Sequence, residues 1–222
     1  MLLAVDTSTK KIGLALYDGA QVLGEMLWQS QHHHTVELAP AVARLLHSSG
    51  LKMDDIQALG IALGPGSFTS LRVGLSFVKG LALVRHIPVL GIPTLDVQAA
   101  SVEAGNHPLV VVLQAGRGRL AVGWYEASEN GWQSKGPATV ATVNELAKKI
   151  RKPTIVCGEL NSYERRRLAR KHVNVLLLSP AQSVRRPGML AELAWERWKA
   201  GERDDVTSLA PIYLHVGDPI PS

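Results

Sequence analysis

Residues 2–18 return at 110–126 without a gap: Leu2 matches Val110, Ile12 Leu120, Leu14 Val122, Leu16 Trp124, Tyr17 Tyr125 and Asp18 Glu126. The order of elements repeats as well. A short apolar strand over 2–5 precedes a hairpin whose first arm carries Ile12, Leu14 and Leu16. Asp18-Gly19 supplies its turn, and 22–28 pairs back. A helix begins near Thr35 and stops before Gly50, a residue suited to a left-handed cap. Then come a strand over 58–62, a glycine turn, an apolar helix and a strand over 89–92. The second copy has its hairpin, a helix with the capping box Thr142-Val143-Asn144-Glu145, a strand over 154–157, a turn at Gly158 and a helix over roughly 163–172. Strand patterns are permissive, so the repeated order argues for duplication more strongly than the matched positions do.

Two strand-hairpin-helix units facing one another predict an α/β chain with a two-lobed actin-like, hexokinase-like (ASKHA) fold built from duplicated ribonuclease H-like units. The first lobe is placed at 1–103 and the second at 104–222. Pro187 opens a last helix carrying Leu190, Leu193, Trp195 and Trp198 at helical spacing. The tail from about residue 207, extended over 210–214, is expected to pack back on the first lobe.

A cleft of this kind hydrolyses nucleotides with one carboxylate from each half, which position metal and water while glycine turns hold phosphates. Here Asp6-Thr7-Ser8-Thr9 stands in the first half, but Gln114-Ala115-Gly116-Arg117 stands opposite. Gln114 cannot supply the second charge, which disfavours a metal-dependent phosphotransferase. Nucleotide binding through Asp6, Thr7 and Ser8 stays open, beside the plainer reading of Asp6 as the cap of a turn.

The glycine turn invites a second reading. Residues 63–82, LGPGSFTSLRVGLSFVKGLA, run from strand through Gly64 and Gly66 into a helix whose free amides and dipole form an anion site, with Ser67 or Thr69 as the cap. No lysine follows as in a phosphate-binding P-loop, and Ser67 lacks the flanking glycines of a hydrolase elbow. A lone Gly-x-Gly with no acidic residue about 20 positions on is weak support for dinucleotide binding. The helix itself is apolar nearly all round, as expected for one serving both a core and a partner.

The 222 residues carry a net charge of +5, placed unevenly: seven basic and seven acidic residues in 1–100, seventeen and twelve in 101–222. Nine of the basic residues fall between Lys148 and Lys171, among them Arg165, Arg166, Arg167 and Arg170, with only Glu159 and Glu164 opposing. Such a cluster reads as a solvated helix face or as a holder of nucleic-acid phosphates. The one cysteine, Cys157, ends an apolar run and reads as a buried structural thiol in a reducing compartment. His32-His33-His34 lead into a helix without metal-ligand spacing. No uninterrupted apolar stretch reaches the length of a membrane span and no signal peptide is recognisable, so a cytoplasmic place without membrane contact is expected.

Asp6-Thr7-Ser8-Thr9 after the first strand, the motif of Gly64, Pro65, Gly66, Ser67, Phe68 and Thr69 followed by Arg72 in an apolar helix, and the ending Ala210-Pro211-Ile212-Tyr213-Leu214 together resemble the TsaB (YeaZ) family. The resemblance spans most of the chain and is sharpest in 1–100. It implies a subunit without catalysis or cofactor of its own, serving tRNA threonylcarbamoyladenosine modification. It also implies a heterodimer with TsaD, which carries the metal and transfers the threonylcarbamoyl group, an assembly joined by the ATPase TsaE, and a homodimer when the chain is alone. ATP or ADP is left open at the cleft or at the complex interface. TsaD-like proteins place paired histidines where this chain reads Thr94-Leu95-Asp96-Val97-Gln98-Ala99-Ala100, which agrees with the scaffold subunit. Family members carry acidic residues near the second hairpin, whereas Gln114 and Gly116 stand here. The implied contact surface comprises Leu38, Val42 and Leu45 of one helix and Leu71, Gly74, Leu75 and Val78 of the next, with Gly74 and Gly80 permitting close helix approach. Contact with tRNA through Arg165, Arg166, Arg167, Arg170 and Lys171 is left open beside the reading of these residues as a solvated helix face. The alternative is a nucleotide-binding enzyme or peptidase-like protein acting through Asp6.

Overall fold

The computed structural model describes residues 1–31, 33–129 and 131–214. Its first half runs β1 (Leu2–Asp6), β2 (Lys11–Tyr17), β3 (Val22–Gln29), α1 (His34–Ser48), β4 (Ala58–Ala62), α2 (Phe68–Arg85), β5 (Val89–Ile92) and α3 (Thr94–Ala100). The second half runs β6 (Leu109–Gln114), β7 (Arg119–Ser128), β8 (Gly131–Ser134), β9 (Thr139–Thr142), α4 (Val143–Lys149), β10 (Thr154–Gly158), α5 (Ser162–Ala169), β11 (Val175–Leu177) and α6 (Pro187–Lys199). The first sheet is ordered β3-β2-β1-β4-β5, and the second β11-β10-β6-β7-β8 with β9 also paired to β7. Each has an antiparallel hairpin beside parallel strands: β1 pairs antiparallel with β2 and parallel with β4, and β6 does the same with β7 and β10. The chain is a two-lobed ASKHA-type α/β fold.

Each sheet is covered on both faces. The outer face of the first holds Leu3, Val5, Leu14 and Leu16 against Leu38, Val42 and Leu45 of α1 and Leu75 and Val78 of α2. Full burial of each such side chain stabilises by about 1.5–3 kcal/mol relative to exposure. The outer face of the second sheet packs Val110, Val112 and Val122 against Leu146 of α4 and Leu168 of α5. The inner faces exchange helices. Leu190, Ala191 and Ala194 of α6, from the end of the chain, cover Leu2, Ala4 and Ala58 of the first sheet. Leu95 and Ala99 of α3, from the end of the first half, cover Leu109, Val111 and Leu113 of the second. Neither lobe completes its core with its own segment alone.

The match of Leu2 with Val110 needs correcting. Leu2 lies on the inner face beneath α6, whereas Val110 lies on the outer face. Leu3 pairs with Leu16 and Val110 with Trp124, so the first strands correspond at an offset of 107 and the hairpin arms at 108. A strand buried on both faces has no polar alternation to fix its register, and a one-residue slip exchanges its faces. The difference is absorbed in the hairpin loops. The second loop is closed by Gly116, Arg117 and Gly118, all at positive φ, with the Ala115 amide donating to the Arg119 carbonyl.

Local signals are met by the expected means at several elements. Thr142 and Glu145 form the capping box of α4, while α5 starts with another from Asn161 and Glu164 and stops at Ala169. The 162–169 helix is thus shorter than the expected 163–172. Cys157 is buried, and burial pushes its thiol up to about 12, in keeping with a structural role. Among the described residues no helix is long and apolar enough to cross a membrane.

Candidate functional site: the junction of the lobes

The turn after β1 carries three small polar residues, and the fold turns all of them inward. Ser8 donates its amide to Asp6 Oδ1 at 2.8 Å, and its hydroxyl meets that of Thr94 at 2.7 Å. Thr7 Oγ1 donates to the Ser70 carbonyl at 2.8 Å. Asp6 Oδ2 accepts from Arg185 Nε at 2.5 Å, and Arg185 also reaches Glu159 Oε1 at 3.2 Å and Thr9 Oγ1 at 3.3 Å. Thr9 Oγ1 in turn donates to Glu159 Oε1 at 2.9 Å. Burial alone raises the Asp6 carboxyl pKa, but the charge and hydrogen bond of Arg185 and the bonds from Ser8 outweigh it and hold it below the ordinary value. The Arg185 pKa is raised despite burial, by Asp6 and then Glu159.

The glycine turn is filled by protein. A Cβ on Gly66 would stand 2.1 Å from the Ser8 carbonyl oxygen, and that oxygen accepts the Ser67 amide at 2.7 Å. Gly64 has φ +107°, and a Cβ there would meet the Ile212 carbonyl at 2.6 Å. Its amide donates to Thr94 Oγ1 at 2.8 Å and its carbonyl accepts the Thr94 amide at 2.7 Å. Close approach is therefore the reason for both glycines, with the neighbouring backbone in the place of a phosphate. Ser67 sits at the N-cap of α2 but its side chain caps no amide; its Oγ instead accepts from Ser70 Oγ at 3.0 Å. Pro65 is buried, while Phe68 and Thr69 are exposed at the start of α2.

The tail follows the same loop. Ile212 donates its amide to the Leu63 carbonyl at 2.8 Å, Tyr213 packs on Phe68 with ring centroids 4.9 Å apart, and Arg72 Nε donates to Tyr213 Oη at 3.1 Å. The Arg72 guanidinium lies 3.7 Å over the Phe68 ring, a cation–π contact. Residues 215–222 lie outside the described residues.

Between the lobes lies a cavity of about 1110 Å3, lined by Lys10, Arg117 and Arg165 among others. Asp6, Thr7 and Ser8 do not line it; their polar groups are committed to the junction beneath. Ser183, 5% exposed, also lines it, and its buried hydroxyl has no hydrogen-bond partner among the described residues. Gln114, also at the cavity, donates its side-chain amide to Glu164 Oε2 at 2.7 Å and to the Glu159 carbonyl at 3.1 Å.

The seven positions expected to form the contact surface belong to the core. Leu38, Val42, Leu45, Leu71, Leu75 and Val78 are each at most 6% exposed, and Gly74 is buried with Thr7 packed where its Cβ would be. Gly74 is taken up by Thr7, while Gly80 is exposed with nothing within 4 Å among the described residues. An apolar helix does not announce which side faces inward. On α2 the inward side is set by Leu71, Leu75, Val78 and Ala82, and the outward side shows Arg72, Ser76, Leu83 and Val84. The basic cluster is divided too. Arg165 is held by the Leu178 carbonyl and Arg167 by Asn144 Oδ1 at 2.6 Å, Lys171 is half-buried, and Arg166 and Arg170 are exposed. His33 is exposed, His34 Nε2 bonds the Thr9 carbonyl at 2.9 Å, and His32 lies outside the described residues. Arg185, the centre of the junction, escaped the sequence reading. Its only signal is a pair of arginines before the Pro187 that opens α6.

The family model described as TsaD, tRNA N6-adenosine threonylcarbamoyltransferase, matches residues 24–174. The chain is 28% identical to the tRNA threonylcarbamoyladenosine biosynthesis protein TsaB of Bacillus subtilis, over 98% of this chain and 95% of that one. It is 33% identical to TsaB of Escherichia coli, over 59% of this chain and 57% of the relative. Among solved structures, YeaZ from Pseudomonas aeruginosa superposes with a TM-score of 0.80 at 24% identity, covering 96% of this chain and 99% of that one, a likeness that shows the fold. The chain belongs to the TsaB (YeaZ) branch of the tRNA N6-adenosine threonylcarbamoyltransferase family.

Proposed function

We propose that this chain is a non-catalytic cytoplasmic subunit that supports tRNA N6-threonylcarbamoyladenosine formation by docking on the catalytic subunit TsaD, with TsaE joining the assembly. The observation that carries this reading is the outer side of α1 and α2. Phe68, Leu83 and Val84 are 52%, 61% and 77% exposed along α2, and a groove of about 450 Å3 between the helices is lined by Thr35, Ala39, Thr69, Arg72 and Ser76. Leu83 and Val84 left uncovered at one end of the helix, and Phe68 covered only in part by Tyr213 and Arg72 at the other, suit a partner helix pair. The same face would pair two copies of the chain when TsaD is absent.

Ala39→Arg with Ser76→Arg tests the docking face, since both positions are exposed. Loss of co-purification with TsaD at an unchanged melting temperature supports the assignment, and unchanged association overturns it.

The interlobe cavity favours an added role in holding ATP or ADP, because Lys10, Arg117 and Arg165 line it and the buried Ser183 hydroxyl lacks a partner among the described residues. Calorimetric titration of ADP into wild type and Ser183→Ala distinguishes this from an empty cleft. An enzyme working through Asp6 is the weaker reading, because both carboxylate oxygens are engaged by Arg185 and Ser8. Turnover by the pure chain with added metal, lost in Asp6→Ala, would restore it.

A further inference from the structure

Two carboxylates interrupt the basic stretch between Lys148 and Lys171, and the fold withdraws both from its surface. Glu159 lies with Arg185 and Thr9 at the lobe junction. Glu164, 3% exposed, accepts from Gln114 and from the Asn161 amide. Meanwhile α4 and α5 lie side by side on the outer face of the second sheet, burying Leu146, Ala147 and Leu168 beneath them. Their opposite faces carry Lys148, Lys149, Arg166 and Arg170, all exposed and, among the described residues, none in an ion pair. Glu145, one turn before Lys149, is occupied in capping Thr142. Tyr163, 56% exposed, stands one turn ahead of Arg166 on the same side of α5.

We propose that this α4–α5 face binds the sugar-phosphate backbone of RNA, with Tyr163 stacking on an unpaired base. Arg166 and Arg170 are four apart, which sets their stems about 5–6 Å from one another on one side of the helix. Unpaired guanidinium and ammonium groups release counterions when phosphates replace them, and an aromatic ring beside them takes the face of a splayed base. An acidic protein surface would satisfy the charges and pack against the ring as well, and the paired RNA-affinity and TsaD-association measurements below separate it from RNA. The choice of RNA rests on the tRNA-modification reading above; the binding measurement does not.

Fluorescence anisotropy of a labelled, unmodified tRNA transcript with the full chain, across a salt series, tests it. Arg166→Glu with Arg170→Glu should bind about tenfold more weakly at low salt, with the slope of log affinity against log salt shallower by about 1.4–1.8. Arg166→Lys with Arg170→Lys should bind within about twofold of wild type and excludes a folding defect as the cause. A control reversal on the first lobe and its flank, Arg44→Glu with Arg203→Glu, both exposed, should leave affinity within about twofold. Tyr163→Ala should weaken binding of a single-stranded oligonucleotide more than that of a duplex. Absence of binding by wild type, an equal loss in the control, or an unchanged arginine-reversal variant each overturns the proposal. Co-purification of the same variants with TsaD separates the two readings. Lost RNA affinity with retained TsaD association supports this face alone, whereas lost association with unchanged RNA affinity assigns it to a protein instead.

Discussion

Arg185 and Asp6, 179 positions apart in the chain, meet at 2.5 Å with side chains only 2% and 3% exposed. The pair ties the turn after β1 to the segment entering α6, and Glu159 at the end of β10 joins the same guanidinium. With α3 and α6 exchanged between the lobes, this ties the two halves together through both packing and charge. It also sets Asp6 apart from a free carboxylate awaiting a metal.

Removing one member of the pair should be costly. Arg185→Met leaves Asp6 buried without a counter-charge, and a loss of about 3–5 kcal/mol in urea unfolding is expected. The double variant with Asp6→Asn should recover part of it, since the fully buried charge is then gone and only the less buried Glu159, still bonded by Thr9, has lost its counter-charge. Additive losses would show that the pair is not coupled. The low Asp6 pKa fixes the sign with pH: its contribution is complete above the ordinary carboxyl value of about 3.9 and disappears as pH falls through the lower native value. Wild type should therefore lose stability on acidification more steeply than Asp6→Asn.

The three glycines at 66, 74 and 80 separate packing from propensity. A Cβ at Gly66 meets Ser8 backbone at 2.1 Å and one at Gly74 meets Thr7 Oγ1 at 2.1 Å, while Gly80 has open space. Alanine at either of the first two should destabilise by about 1–3 kcal/mol through overpacking. At Gly80, within α2, it should stabilise by about 0.5–1 kcal/mol. Thermal melts of the three single variants decide this, and equal effects at all three sites would contradict it.

These glycines also mark where the sequence is legible. Periodicity, capping residues and turns gave β4 and β5 at their observed limits, the capping box of α4 and Pro187 at the start of α6, because those signals are local. The duplication was legible from the order of elements. The inward side of α2 was not, because Leu71, Val73, Leu75, Phe77 and Val78 are apolar on every side and only the positions of β4 and Thr7 choose between them. The same limit applies to Arg185, whose role depends on a carboxylate 179 residues away. The glycine turn looked like an anion cradle because close approach needs the same residues whether the guest is phosphate or backbone.

Gln114 occupies the place where an acidic residue would meet Glu164. Its amide donates to Glu164 Oε2 at 2.7 Å, and Glu164 is nearly buried. Gln114→Glu would replace that donor by a second negative charge and should cost about 1–3 kcal/mol at neutral pH. A variant as stable as wild type at neutral pH would mean that the loop carrying residue 114 relaxes to avoid Glu164.

Asp96 on α3 accepts from Tyr125 Oη on β7 at 2.7 Å, a bond from the first half's last helix to the second sheet. Burial raises the Asp96 pKa, and the Tyr125 bond only partly offsets it. Burial, followed by the neighbouring Asp96 charge, raises Tyr125 as well. A carboxyl with a raised native pKa binds its proton more tightly in the folded chain, so its ionisation costs stability as pH rises through that value. Asp96→Asn keeps an oxygen for the Tyr125 hydroxyl without the charge. It should therefore be more stable than wild type at neutral pH by up to about 1 kcal/mol, and the two should converge as pH falls toward the ordinary carboxyl value of about 3.9. Unfolding midpoints measured across that range give the comparison, and a difference independent of pH would remove Asp96 ionisation as its source.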